Sequence, residues 1–173
     1  MKEFKESEHS RDKDGKFTDK NSTSKSQQLK TALQVFANKK SINQITEEIN
    51  KSPEKANKII MDAIVSGRIN MKIREQKQKE HIEGTLEYQK ALEKGKEPSI
   101  LTEDANKLVK LYAGKGKMLY IKGKWTQSER FKHNENIGFY VNKRKGIKYN
   151  TQHGRIHYSN KGTHVVPDGK DRK

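Results

Sequence analysis

Gly154-Arg155-Ile156-His157-Tyr158-Ser159-Asn160-Lys161-Gly162-Thr163-His164-Val165-Val166-Pro167 is the stretch on which the fold of this chain turns. Arg155, His157 and Ser159 alternate with Ile156 and Tyr158, the period of a strand with one polar and one apolar face. Asn160-Lys161-Gly162 then reads as a tight hairpin turn, and Thr163 to Val166 as the returning strand. Register decides which side chains meet. If the turn is Lys161-Gly162, then His157, Ser159 and His164 share a face, with Ser159 opposite His164. If the loop is Asn160-Lys161-Gly162 with a glycine bulge, His164 joins the Ile156/Tyr158 face as a packed histidine.

Working back from the hairpin, period-two patterning holds to about residue 115. Met118 to Ile121, a Lys122-Gly123 turn, Lys124-Trp125, Ile137 to Val141 and Ile147 to Tyr149 supply further strands. Before them the period is helical. Thr102 is placed to cap a helix with Ala105, Leu108, Val109 and Tyr112 on its buried side, ended by Gly114. The expected class is therefore α+β, helices followed by an antiparallel sheet of four to five strands.

Upstream, residues 25–67 read as three short helices. Ser41 and Gln44 have capping-box spacing, Ser52-Pro53 starts the next helix, and Gly67 stops it. Followed by alternation over Ile69 to Ile73, the layout resembles a winged helix-turn-helix. A helical spacer that lays its apolar stripe on a neighbour accounts for it equally well. Residues 1–24 are polar and expected to be disordered. His9 to Thr18 resembles a connector of phage head-morphogenesis proteins, with Ser10 where proline is commoner. The expected organisation is a tail over 1–24, the helical segment over 25–67, a catalytic domain over 68–168 and a basic tail over 169–173.

Composition narrows the function. The chain of 173 residues is 29% hydrophobic, with a mean hydropathy of −1.17, so part of it lies outside any core. It has no cysteine, which excludes disulfides and thiolate metal sites. No apolar run spans a membrane and no secretory signal is visible. Net charge is +16. Residues 114–173 carry 15 basic against 4 acidic groups, so the excess surrounds the histidine hairpin and points to phosphate backbones.

Several spaced pieces together resemble the type-50 toxin domain of bacterial polymorphic toxins, also found in phage-borne proteins. They are Gln78-Lys79-Glu80-His81-Ile82-Glu83-Gly84-Thr85 with Tyr88, Leu101-Thr102 through Tyr112-Ala113-Gly114-Lys115-Gly116, Trp125, Ile137-Gly138, and Ile156 through Pro167. The resemblance covers residues 69–168. It implies a barnase-like fold and ribonuclease activity in a bacterial cytoplasm. It also implies a partner, for which an acidic immunity protein would suit this basic surface. Glu80 stands where the family more often has lysine or another polar residue.

RNA cleavage without a metal needs a base for the 2′-hydroxyl, an acid for the leaving 5′-oxygen, and cations for the developing charge. Histidine serves both proton roles near neutral pH. The candidates are His81, His157 and His164, with Ser159 as a further donor. His133 and His153 rank below them. Arg155 and Lys161 are the phosphate ligands, and Tyr158 and Tyr140 the aromatic platforms for bases. No cofactor is expected: no carboxylate clusters with His157 and His164 as a metal site needs, and no Gly-x-Ser-x-Gly elbow supports a serine hydrolase. The expected product is a 2′,3′-cyclic phosphate. The competing readings are a non-catalytic nucleic-acid-binding protein, and a phage structural protein meeting head or host proteins through the tail.

Overall fold

The histidine hairpin pairs β6 (His153–Ser159) with β7 (Gly162–Asp168). Its turn is Asn160-Lys161, which places Ser159 opposite Gly162 and His157 directly opposite His164. Neither sequence-based register anticipates this. It differs by two residues from the Lys161-Gly162 turn, and because side chains repeat every two residues, the same face is kept. The structure is a computed structural model and describes residues 41–142 and 145–169. The tail expected over 1–24, with its phage-connector resemblance at His9 to Thr18, the first expected helix and the basic C-terminal tail beyond Gly169 lie outside the described residues.

Gly162 fits this turn because another backbone passes close by. A Cβ there would stand 2.3 Å from the Lys72 carbonyl oxygen, and its φ of +126° suits glycine. Arg74 N–H donates to the Thr163 carbonyl at 2.7 Å, and Thr163 N–H to that of Lys72 at 2.9 Å. The expected strand over 69–73 is thereby reduced to one parallel bridge, Ile73 to Thr163, along the outer edge of β7.

Two sheets replace the single expected meander. β2 (Lys117–Ile121), β3 (Lys124–Lys132), β6 and β7 form a four-stranded antiparallel sheet in that order. β4 (Gly138–Asn142) and β5 (Ile147–Thr151) leave it and pair instead with β1 (Ile100–Leu101). Gly138 permits the departure, since a Cβ there would lie 2.0 Å from the Ile100 carbonyl oxygen. The same pairing shortens the central helix. Leu101 is drawn into β1, and Thr102 N–H donates to the Ile137 carbonyl at 3.0 Å. Asp104, not Thr102, then caps α5 (Ala105–Tyr112), its carboxylate accepting from Asn106 N–H at 2.9 Å; α4 (Leu86–Glu93) comes before it, capped by the Thr85 hydroxyl, which accepts from Tyr88 N–H at 3.2 Å.

One face of the larger sheet carries the core. Trp125, Phe131, Ile156, Tyr158 and Val165 pack with Leu108 and Val109 of α5 and with Ile45, Ile49, Ile60 and Ala63. Those last four belong to α1 (Ile42–Lys51) and α2 (Ala56–Val65). The three isoleucines are fully buried, each worth about 1.5–3 kcal/mol of transfer free energy. Polar side chains fix the same contact. Asn160 in the hairpin turn accepts from Ile42 N–H at 2.8 Å, and Asn50 accepts from Trp125 N–H at 2.8 Å. Asn57 donates to the Gly114 and Gly116 carbonyls. The apolar faces of α1 and α2 are thus spent on this core. Among the described residues no helix is long and apolar enough to cross a membrane.

Candidate active site

The other face of the larger sheet carries Arg155, His157 and Ser159 from β6, with His164, Val166 and Asp168 from β7. α3 (Glu75–Lys79) runs along the open edge of β7 and leads straight into His81. Gln78 holds it there. Its buried side-chain amide donates to the Val165 carbonyl at 3.0 Å and accepts from Val165 N–H at 2.8 Å, as a neighbouring strand would. The His81 ring then stacks on His164, centroids 6.2 Å apart and planes at 15°. His164 stacks in turn on His157 at 4.8 Å and 16°. Three histidines from two distant parts of the chain make one column.

His81 Nδ1 lies 2.8 Å from the Ser99 carbonyl oxygen. A carbonyl only accepts, so Nδ1 bears the proton and Nε2 is left with its lone pair. Burial lowers the basicity of all three rings. For His157 burial, aided by the Arg155 and His81 charges and opposed by Asp168, brings the pKa down to about 4. His164 falls to about 3, first through burial and then through His157, His81, Lys77 and Arg74. His81 is lowered by burial, with the Ser99 hydrogen bond working against the shift. Near pH 7 the column is uncharged.

Asp168 lies beside it, clamped by two arginines. Arg155 donates through Nε at 2.6 Å and Nη2 at 2.9 Å, and Arg130 through Nε at 2.7 Å. Burial opposes ionisation of Asp168, but the hydrogen bonds and charges of Arg155 and Arg130 outweigh it and hold the pKa below the ordinary value. His81, His157, Arg155 and Asp168 line a cavity of about 680 Å³, together with residues of the loop before β1 and of β4.

A comparison with protein families matches residues 73–167 to the family described as bacterial toxin 50. The chain belongs to that family. Its toxin 50 domain therefore contains the whole histidine column, from the α3 edge to β7. Searches of curated proteins and of solved structures return no match.

The toxin 50 domain distributes the sequence-based candidates unequally. His81, His157 and His164 are together, and Arg155 is beside them. Ser159 shares their face, but its hydroxyl donates to the Gly162 carbonyl at 2.7 Å and closes the turn. Lys161 is exposed in the turn itself, beyond the Ser159–Gly162 pair. Tyr140 lines the cavity. Tyr158 does not: it is 3% exposed on the core face, tilted against Trp125, and donates its hydroxyl proton to Glu129. Glu129, fully buried, also accepts from Gly114 and Gly116 N–H. No base reaches that ring, because strand alternation turns Tyr158 away from His157. His133 is likewise structural, with Nδ1 2.8 Å from the Tyr112 hydroxyl.

Sequence reasoning misses Ser99, Arg130 and Asp168, and it includes Gln78 only as the first residue of the His81 motif, with no role assigned. Asp168 is one of only four acidic residues after position 113, so a faint signal exists for it. Gln78→Ala is expected to cost about 1–3 kcal/mol, because it strips Val165 of both backbone partners. Urea unfolding measures this, and a variant as stable as the parent would show that the β7 edge needs no such partner.

Proposed function

We propose that the chain is a ribonuclease toxin that cleaves RNA without a metal ion, by histidine acid–base catalysis. The observation that supports this most directly is the meeting of His81 and His157 on the wall of one cavity beside Arg155. Separate elements supply the two rings, so one can face the attacking oxygen and the other the leaving oxygen. In the proposed step His81 Nε2 takes the 2′-hydroxyl proton, and the 2′-oxygen attacks the adjacent phosphorus. The bond from phosphorus to the 5′-oxygen breaks, and protonated His157 delivers its proton to that oxygen. The products are a 2′,3′-cyclic phosphate and a free 5′-hydroxyl.

Arg155 spends two N–H donors on Asp168. A guanidinium has five, so it can grip a phosphate oxygen while Asp168 keeps it in place. The bound phosphodiester also supplies the negative charge that raises the pKa of a neighbouring histidine, which favours the protonated His157 that the step needs. His164 stands between the two rings as the spacer that sets their separation. The proposed catalytic domain spans residues 68–168, with α1 and α2 packed on its sheet. An acidic immunity protein is the proposed protein partner, since the segment after residue 113 is strongly basic.

The test is incubation of the purified chain with RNA in excess EDTA, with the ends of the fragments identified. Cleavage leaving 2′,3′-cyclic phosphate is expected. A folded sample that leaves RNA intact in every buffer, with or without added divalent ions, would end the proposal.

A further inference from the structure

We infer that the cavity beside His81 and His157 receives a single unpaired nucleotide, so that the chain cuts single-stranded RNA with the base of the attacked ribose held inside the protein. This rests on the ribonuclease reading above. Its ground is the shape of the site. Both histidines and Arg155 belong to the wall of a recess of about 680 Å³, within the ~300–1,000 Å³ typical of sites that enclose a small ligand. Duplex RNA carries its phosphates on the outside of a convex helix and its 2′-hydroxyls along a wide, shallow groove. Such a surface meets the rim of a recess, while the reacting groups here are on its wall. An unpaired nucleotide can swing out of line and enter, and the unstacking cost is least in a single strand.

The lining suits both halves of a nucleotide. Ala91, Pro98, Val141 and Val166 present hydrocarbon to the recess, and Tyr140 brings an aromatic ring. That ring is braced edge-on by Tyr149, with centroids 5.3 Å apart and planes at 63°, so its orientation is set before a base arrives. Bases of every kind stack on apolar and aromatic walls, which makes such a pocket tolerant of sequence. Lys96 and Lys145 line the same recess and are solvent-exposed. They are placed to meet the phosphates of the strand where it leaves the cavity.

The test uses the full chain and three labelled RNAs: a single strand, the same strand in a perfect duplex, and the single strand with one nucleotide lacking its base. The duplex is expected to be cut at least about 100-fold more slowly than the single strand. Cleavage at the abasic ribose, which keeps its 2′-hydroxyl and phosphate, is expected to fall at least about tenfold. A duplex cut as fast as the single strand, or an abasic site cut as fast as the intact one, overturns the inference and leaves the ribonuclease reading standing. No cleavage of any of the three overturns that reading, and this inference with it.

Discussion

His157→Ala is expected to lower RNA cleavage by about 10²–10⁴-fold, and His81→Ala by a similar factor, the usual worth of one positioned acid or base. Both rings line the cavity; the Ser99 carbonyl sets the tautomer of His81, and burial, with Arg155 second to it, lowers the pKa of His157. The double variant should lose much less than the product of the two single losses, because groups that act as a unit are not additive. The pH profile carries a sharper signature. With burial lowering both rings and His157 reaching about 4, the bell in kcat/KM should centre on the acid side of 6.5. The bell in kcat should move upward, since a bound phosphate favours the charged imidazole. Single-turnover rates across pH 3–9 measure both. A His81→Ala protein with full activity would remove that ring from the reaction, and a kcat/KM bell centred above 7 would contradict the role of burial.

Asp168→Ala is expected to destabilise the fold by about 3 kcal/mol, in the range found when a buried ion pair loses one partner. Asp168 is 3% exposed and neutralises two arginines, so its removal leaves Arg130 and Arg155 facing each other with one carboxylate fewer than they need. The pH dependence follows from the direction of the shift. A carboxyl held below its ordinary 3.8 in the folded state contributes stability that is fully present above that value and is lost as pH falls through the lower folded value. The three histidines behave differently. Their pKa values fall on folding, so the stability tied to their uncharged state is complete above about 6.5 and erodes from there downward, to about 4 for His157 and about 3 for His164. Urea unfolding of parent and variant should therefore give parallel losses between pH 6.5 and 4.5. Below about pH 4 the gap between them should narrow. A constant gap down to pH 2 would show that Asp168 acts through packing and not through its charge.

The α+β class, the order of helices before strands and the identity of the hairpin were all legible in the chain, because hydrophobic period is a local property. Alternation in Arg155 to Ser159 and helical spacing in Ala105 to Tyr112 need no tertiary information. The capping box at Ser41 was legible for the same reason, and Ser41 N–H does donate to the Gln44 side chain at 2.9 Å. The resemblance of Gln78 to Thr85 and of Ile156 to Pro167 to a bacterial toxin domain was legible too, since it rests on residue identities at fixed spacing.

Long-range pairing was not. A stretch such as Ile100-Leu101 carries no mark saying that it will pair with Phe139 and Gly138, so the division into two sheets, and the loss of Thr102 as a cap, arose only when distant backbones met. Hairpin register escaped for a related reason. Gly162 was read as a turn residue because glycine suits turns, while its actual demand is room for the Lys72 carbonyl, a residue ninety positions away in the chain. The site shows the same division. Sequence named the three histidines as chemically apt groups, but contacts between distant segments bring His81 onto His164 and His157: Arg74 and Gln78 bonded to the edge of β7, and the Ser99 carbonyl on the His81 ring. Strand alternation alone put Tyr158 on the face opposite His157, and the core formed by α1, α2 and α5 decided which of those two faces would be closed to substrate, because apolar surface on three helices had to be covered by one side of the sheet.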